Sequence, residues 1–179
     1  MNDTPDYTNL NVPMDRDTMP HNLPEPRLRL RSQLSLDLVD GDGEVSLEDV
    51  VRMKHSSRML LAELLTDDLV EAVRNTGPSG AVAEALGVLE AWDRTAAADS
   101  RGGVLFTRWV QRYAETADTA AFYEDPWSPE RPMETPSGLG SPADAADAFA
   151  WTAGWLAGRE IPADIAWGEI HRVIRGGVD

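Results

Sequence analysis

The apolar pattern between Ser46 and Arg74 constrains this chain more than any other stretch. Leu47, Val50, Val51, Leu60, Leu61, Leu64, Leu65, Leu69, Val70 and Val73 recur at steps of three and four. That spacing puts side chains on one face of an α-helix. Ser46 is placed to cap the start, and Asp49, three residues on, completes an S-x-x-D form of the capping box. Glu48 and Asp49 also set negative charge at the positive end of the helix dipole. Thr66-Asp67-Asp68 gives a second capping signal. The pattern predicts a long helix ending near Leu65, then a bend or fresh start to about Asn75. Gly77-Pro78 is the stop.

The flanks are weaker signals. Pro5, Pro13, Pro20, Pro24 and Pro26 make residues 1–27 an extended loop, because proline biases itself and its predecessor away from helix. Loops of that length are usually functional or disordered. Arg27-Leu28-Arg29-Leu30-Arg31 and the following SQLSLDLV fit a short helix or a strand, with helix preferred. Residues 80–98 read as helix through Val82, Ala85, Leu86, Leu89 and Trp92, broken by Ser100-Arg101-Gly102-Gly103. A further helix carries Leu105, Phe106, Trp109, Val110 and Tyr113 on one side. Residues 123–141 read as loop. Ser141-Pro142 opens the next helix, with Ala145, Phe149, Thr152 and Leu156 inward and Gly158 as its end. Trp151 and Trp155 form a second stripe, which predicts burial on more than one face. Ile170, Val173 and Ile174 favour a strand near the end.

Composition narrows the function classes. With 179 residues and 42% hydrophobic content, length alone predicts one domain. A formal net charge of −15 repels phosphate and argues against a nucleic-acid surface. The absence of cysteine excludes disulfides, thiolate metal sites and cysteine nucleophiles. No apolar run approaches the roughly 20 residues that span a bilayer. MNDTPDYTNL has neither the basic patch nor the apolar segment of a signal peptide, and reads as the middle of a loop. His21, His55 and His171 are far apart and belong to no catalytic motif. No G-x-S-x-G, H-E-x-x-H or phosphate-binding glycine loop is present.

One acidic turn admits two readings. In DLVDGDGEVSLED, Asp40, Asp42 and Gly43 resemble the third, fifth and sixth positions of an EF-hand calcium loop, and Asp49 falls at the twelfth. The first position is Leu38, which supplies no carboxylate. The other reading is a glycine-rich turn before a capped helix. Calorimetry with calcium separates the two.

Four blocks, in order, carry a family resemblance. SLEDVVRMKHSSRMLLAELLTDDL, AWDRTAAADSRGGVLFTRW, Pro136-x-Gly138-Leu139 and Ala166-Trp167-Gly168-Glu169-Ile170-His171-Arg172 resemble β-subunit segments of the penicillin acylase family. They look closer to its aculeacin and acyl-homoserine-lactone acylase branch. The resemblance implies an N-terminal nucleophile hydrolase with an αββα sandwich, of which this chain supplies a mainly α part. Short strands are expected towards the C-terminal end. The expected layout is a single partial domain, residues 1–179. It comprises a Pro-rich loop (1–27), a helical region (28–158) and a return towards the sheet (159–179).

The implied activity is hydrolysis of linear amides such as β-lactam antibiotics, lipopeptides or acyl-homoserine lactones. The block carrying the nucleophilic serine and its downstream histidine does not match any part of this chain. The resemblance therefore implies an internal fragment, inactive alone, with the remainder of the acylase heterodimer as its partner. A truncated gene or an inactive remnant would give the same pattern. Asn2, in Asn2-Asp3-Thr4-Pro5, matches the family's oxyanion-donating asparagine. Arg31 best matches a supporting arginine downstream, with Arg29 as the alternative. No cofactor or metal is implied, and family members are usually periplasmic or secreted.

Overall fold

The computed structural model of the chain describes residues 3–12, 14–40, 43–117 and 121–175. They are mainly helical, with seven α-helices and two short strands among the described residues. The chain divides into two compact units, Met1–Ser56 with Trp127–Thr135, and Ser57–Pro126 with Pro136–Asp179.

The first unit holds the expected proline-rich loop, interrupted by two 3-10 turns, Pro5–Tyr7 and Arg16–Thr18. Asp15 caps the second turn by accepting the Asp17 N–H. Helix α1 spans Leu30–Val39, as preferred from sequence. Buried Gln33 donates from Nε2 to the carbonyls of Pro132 (2.7 Å) and Thr135 (2.6 Å), tying the 127–135 segment to α1. Trp127 meets the edge of Tyr7 at 5.9 Å between ring centroids. Helix α2, Leu47–Lys54, begins with the expected capping box: the Ser46 hydroxyl and the Asp49 carboxylate each accept the other's backbone N–H. Its apolar residues Leu47, Val50 and Val51 are exposed.

The long helix predicted from Ser46 does not form. Helix α2 stops at Lys54 and α3 runs from Leu60 to Asn75. The break therefore lies ahead of Leu60 and not near Leu65. Its cause is backbone competition. The Ser57 carbonyl accepts the Ala96 N–H, the Met59 N–H donates to the Arg94 carbonyl, and Arg58 bridges Thr95 in antiparallel fashion. These groups are thereby withdrawn from any helical ladder. Thr66 caps nothing; it lies buried inside α3.

The second unit contains α3, α4 (Ala81–Ala91), α5 (Gly103–Thr116), β1 (Tyr123–Asp125), β2 (Ser137–Leu139), α6 (Pro142–Ala157) and α7 (Trp167–Ile170). Its apolar core joins Leu65, Leu69 and Val73 of α3, Leu89 of α4, Leu105, Phe106 and Trp109 of α5, and Phe149 and Leu156 of α6. Each such burial contributes about 1.5–3 kcal/mol. The α5 stripe is the one expected, except that Val110 is only half-buried. Trp109 is fully buried because its indole N–H finds the Ala145 carbonyl at 3.0 Å. Tyr113 donates its hydroxyl to the Ala121 carbonyl (3.2 Å) and accepts the Ser141 N–H (3.0 Å).

Three further expectations are corrected here. Helix α4 ends at Ala91, so 92–98 is not helical. Both strands lie within the stretch read as loop, paired antiparallel with Tyr123 opposite Leu139 and Asp125 opposite Ser137. No strand forms over Ile170, Val173 and Ile174. Residues Trp167–Ile170 make one helical turn, anchored by the Trp167 N–H on the Ser100 carbonyl and the Gly168 N–H on the Ala98 carbonyl. Val173 and Ile174 are 76% and 65% exposed.

The Trp92–Gly103 block is a pinned turn. The Trp92 indole N–H donates to Ser100 Oγ at 2.9 Å, and the Ser100 hydroxyl donates to Asp93 at 2.6 Å. Gly102 sits at φ 129°, where a Cβ would lie 2.5 Å from Trp92 Cγ. Such a φ excludes other residues without strain. Gly102→Ala is therefore expected to destabilise the chain by at least about 2 kcal/mol in denaturant unfolding. A change within about 0.5 kcal/mol would contradict this packing.

Candidate functional site

The functional residues expected from sequence lie in the first unit. Asn2 is outside the described residues. The chain leaves it through Asp3, whose side chain has 0% exposure. A covered carboxylate requires partners, and Asp3 has them. Arg29 donates from Nε to Asp3 Oδ1 at 2.6 Å, and the Ser32 hydroxyl donates to Oδ2. Arg29 occupies the N-cap position of α1 in an extended conformation, and Ser32 lies one turn in. The start of α1 thus presents a cation, a hydroxyl and its positive dipole end to one carboxylate.

Burial raises the Asp3 carboxyl. The Ser32 hydroxyl, the Arg29 guanidinium and the Arg29 backbone N–H together outweigh it and hold the group below its usual value. Asp3 is therefore an ionised anchor and a poor base. Ser32 gives its proton to this weakly basic, already paired carboxylate, so its hydroxyl is structural and not an activated nucleophile.

Two further ties hold the same loop. Thr4 accepts the Arg27 N–H at 3.0 Å and donates to the Arg27 carbonyl at 3.3 Å. Arg16 grips Asp6 through Nε (2.6 Å) and Nη2 (3.0 Å), and also donates to the Pro24 carbonyl at 2.7 Å. This bidentate geometry is what a guanidinium suits and an ammonium does not. The Arg16 contact overcomes burial and holds the Asp6 carboxyl down to about 2.

The two candidate arginines have different environments. Arg29 is on Asp3, one residue after Asn2. Arg31 lies within the first turn of α1 and is exposed. The alternation Arg27, Arg29, Arg31 hid this difference, since it depends on where α1 begins. Sequence reasoning missed Asp3, Ser32 and Arg16. Only the adjacency of Asp3 to Asn2 could have pointed to the first.

Other candidates are engaged elsewhere. The Asp49 carboxylate accepts the Ser46 hydroxyl and N–H and pairs with Arg52 at 2.7 Å, while Gly41 and Asp42 of the calcium-like turn lie outside the described residues. No cluster of His, Cys, Asp and Glu suited to a metal occurs among the described residues. His21, His55 and His171 are exposed.

The site predicts a pH dependence. A carboxyl with a lowered folded value contributes stability that is present above its unfolded value and lost as pH falls towards the folded one. For Asp6 that window runs from the ordinary 3.8 down to about 2, and Asp3 acts in the same direction. Melting temperature should fall as acid is added across this window, and Asp6→Asn should flatten the fall. An unchanged slope in that variant would contradict the pairing. Among protein families, the penicillin amidase model matches residues 2–177 of this chain.

Proposed function

The chain belongs to the penicillin amidase family, and from that premise we propose that it forms a helical part of an αββα N-terminal nucleophile acylase, with Asn2 as oxyanion donor. The family points to an acylase-type amide hydrolase. The finer reading is that the enzyme acts on linear amides in the manner of the aculeacin and acyl-homoserine-lactone branch. In this reading the nucleophilic serine comes from a segment other than these residues, and the other acylase subunit is the partner.

The reaction then runs as follows. The serine Oγ adds to the acyl carbonyl while the serine's own α-amino group takes its proton. The oxyanion of the tetrahedral intermediate accepts a hydrogen bond from the Asn2 side-chain amide. Collapse breaks the C–N bond, and the amine leaves with the proton. Water then hydrolyses the acyl-enzyme and releases the carboxylic acid.

The supporting arginine in this reading is Arg29 and not Arg31. The observation that carries it is the Arg29 bond to the covered carboxylate of Asp3. That bond fixes the backbone one residue from Asn2, and preorganised donors are what oxyanion stabilisation requires. Arg29 is thus a positioning residue.

Steady-state kinetics of the nucleophile-bearing enzyme test this. Asn2→Ala should lower kcat by about 10²–10³-fold with little change in KM. Arg29→Ala should lower kcat in the same direction, Arg29→Lys should restore part of it, and Arg31→Ala should be tolerated. An unaffected kcat in Asn2→Ala, or loss in Arg31→Ala with Arg29→Ala tolerated, would overturn the assignment. Residues 1–179 alone should show no turnover of a fluorogenic acyl amide.

A further inference from the structure

A second feature lies wholly in the Ser57–Pro126 and Pro136–Asp179 unit. Helices α5 and α6, with Arg159 just beyond the end of α6, carry an alternating stack of arginines and tryptophans. The Arg108 guanidinium sits 4.8 Å from the ring centroids of both Trp151 and Trp155. Arg112 covers Trp151 at 4.7 Å, and Arg159 covers Trp155 at 4.2 Å. The second tryptophan stripe of α6 is thus faced by cations: Trp155 also packs against the apolar core, while Trp151 is exposed, so the expected burial of this stripe holds only for Trp155. Arg108 is fixed between two rings in a part-buried position.

Beside it opens a groove of about 210 Å³. Its walls are mostly apolar, built by Val104, Trp155, Leu156, Ile161 and Ile170; Arg108 supplies a guanidinium, and Gln111 and His171 also line it. Among the described residues no carboxylate lines it, in a chain with 31 acidic residues against 16 lysines and arginines. Arg108 bonds only the neutral Gln111, at 3.1 Å, and no carboxylate pairs with it among the described residues. Among the described residues its covered Nε–H has no acceptor, and the Thr107 hydroxyl at the groove is likewise without a partner. A guanidinium held between indoles has lost much of its water, so an added carboxylate meets a smaller desolvation cost.

We propose that this groove binds a short-chain carboxylic acid, with its carboxylate on the guanidinium edge of Arg108 and its apolar body against Ile161 and Ile170. Charge complementarity selects the head group, and the apolar walls select the tail. The volume is below the roughly 300–1,000 Å³ of drug-sized pockets, which favours a short acid. An acid of this class is also what acyl-amide hydrolysis releases, a connection that rests on the proposed acylase reading. The binding itself does not.

Hexanoate is the probe, titrated into the full chain and followed by NMR at the Trp155 indole and the Ile161 and Ile170 methyls. Saturable shifts at these groups are expected in the millimolar range. Hexan-1-ol should bind at least about tenfold more weakly, the size expected for losing a charge-assisted bond. Arg108→Gln should weaken hexanoate by a similar factor. The hexanoate and hexan-1-ol comparison uses the unaltered chain, so it decides the matter even if Arg108→Gln fails to fold. Equal binding of acid and alcohol, shifts located elsewhere, or no saturation would overturn the site. None of these readouts depends on hydrolysis, so failure here leaves the acylase reading untouched, and the reverse also holds.

Discussion

A carboxylate removed from water must be matched by donors or give up its charge. Asp3 imposes that constraint on the first unit. Leu28 is the only fully buried apolar residue among those described there; Thr4, Ser32, Gln33 and Thr135 are its other buried residues. This unit is therefore organised by directed polar contacts more than by an apolar core. Such contacts are modest in net stability, but leaving one partner unmatched is costly. The result is a loop whose position depends on a few specific pairs: Asp3 with Arg29 and Ser32, Thr4 with Arg27, and Asp6 with Arg16.

The second unit is built the other way. Its core is apolar and aromatic, with Phe106, Trp109 and Tyr113 in a continuous row, and the polar tips of Trp109 and Tyr113 bond backbone carbonyls. Its other polar contacts lie on helix surfaces, as in the Arg74–Glu90 pair between α3 and α4, and in turns. Trp92, Asp93 and Ser100 close one turn, and Gly102 is required because Trp92 occupies the space a side chain would need. The W-D-R and S-R-G pattern thus has a structural cause in this chain, independent of any catalytic role.

What could be read from sequence follows from where the signals are local. The α5 and α6 stripes were legible because every three or four residues an apolar side chain repeats, and the α2 capping box because its two partners are three residues apart. The break before α3 was not legible. It arises from backbone bonds between 57–59 and 94–96, partners some 35 positions away. The strands at 123–125 and 137–139 were missed for a similar reason: each has three residues and no alternating pattern of its own. Isoleucine and valine near 170–174 suggested a strand, but propensity for strand has effect only where a partner edge exists. At the proposed site, Asn2 and the arginine cluster were named through resemblance. Choosing between Arg29 and Arg31 needed the start of α1, and Ser32 gave no sequence signal at all.

The central claim is that the Asp3–Arg29 pair anchors an oxyanion donor at Asn2. Its most direct test is a crystal structure of the nucleophile-bearing enzyme carrying a phosphonate adduct on its serine. The account predicts the Asn2 side-chain nitrogen about 2.7–3.1 Å from the adduct's oxyanion oxygen, with Arg29 still bonded to Asp3. An oxyanion bound by other donors, with Asn2 out of reach, would contradict it.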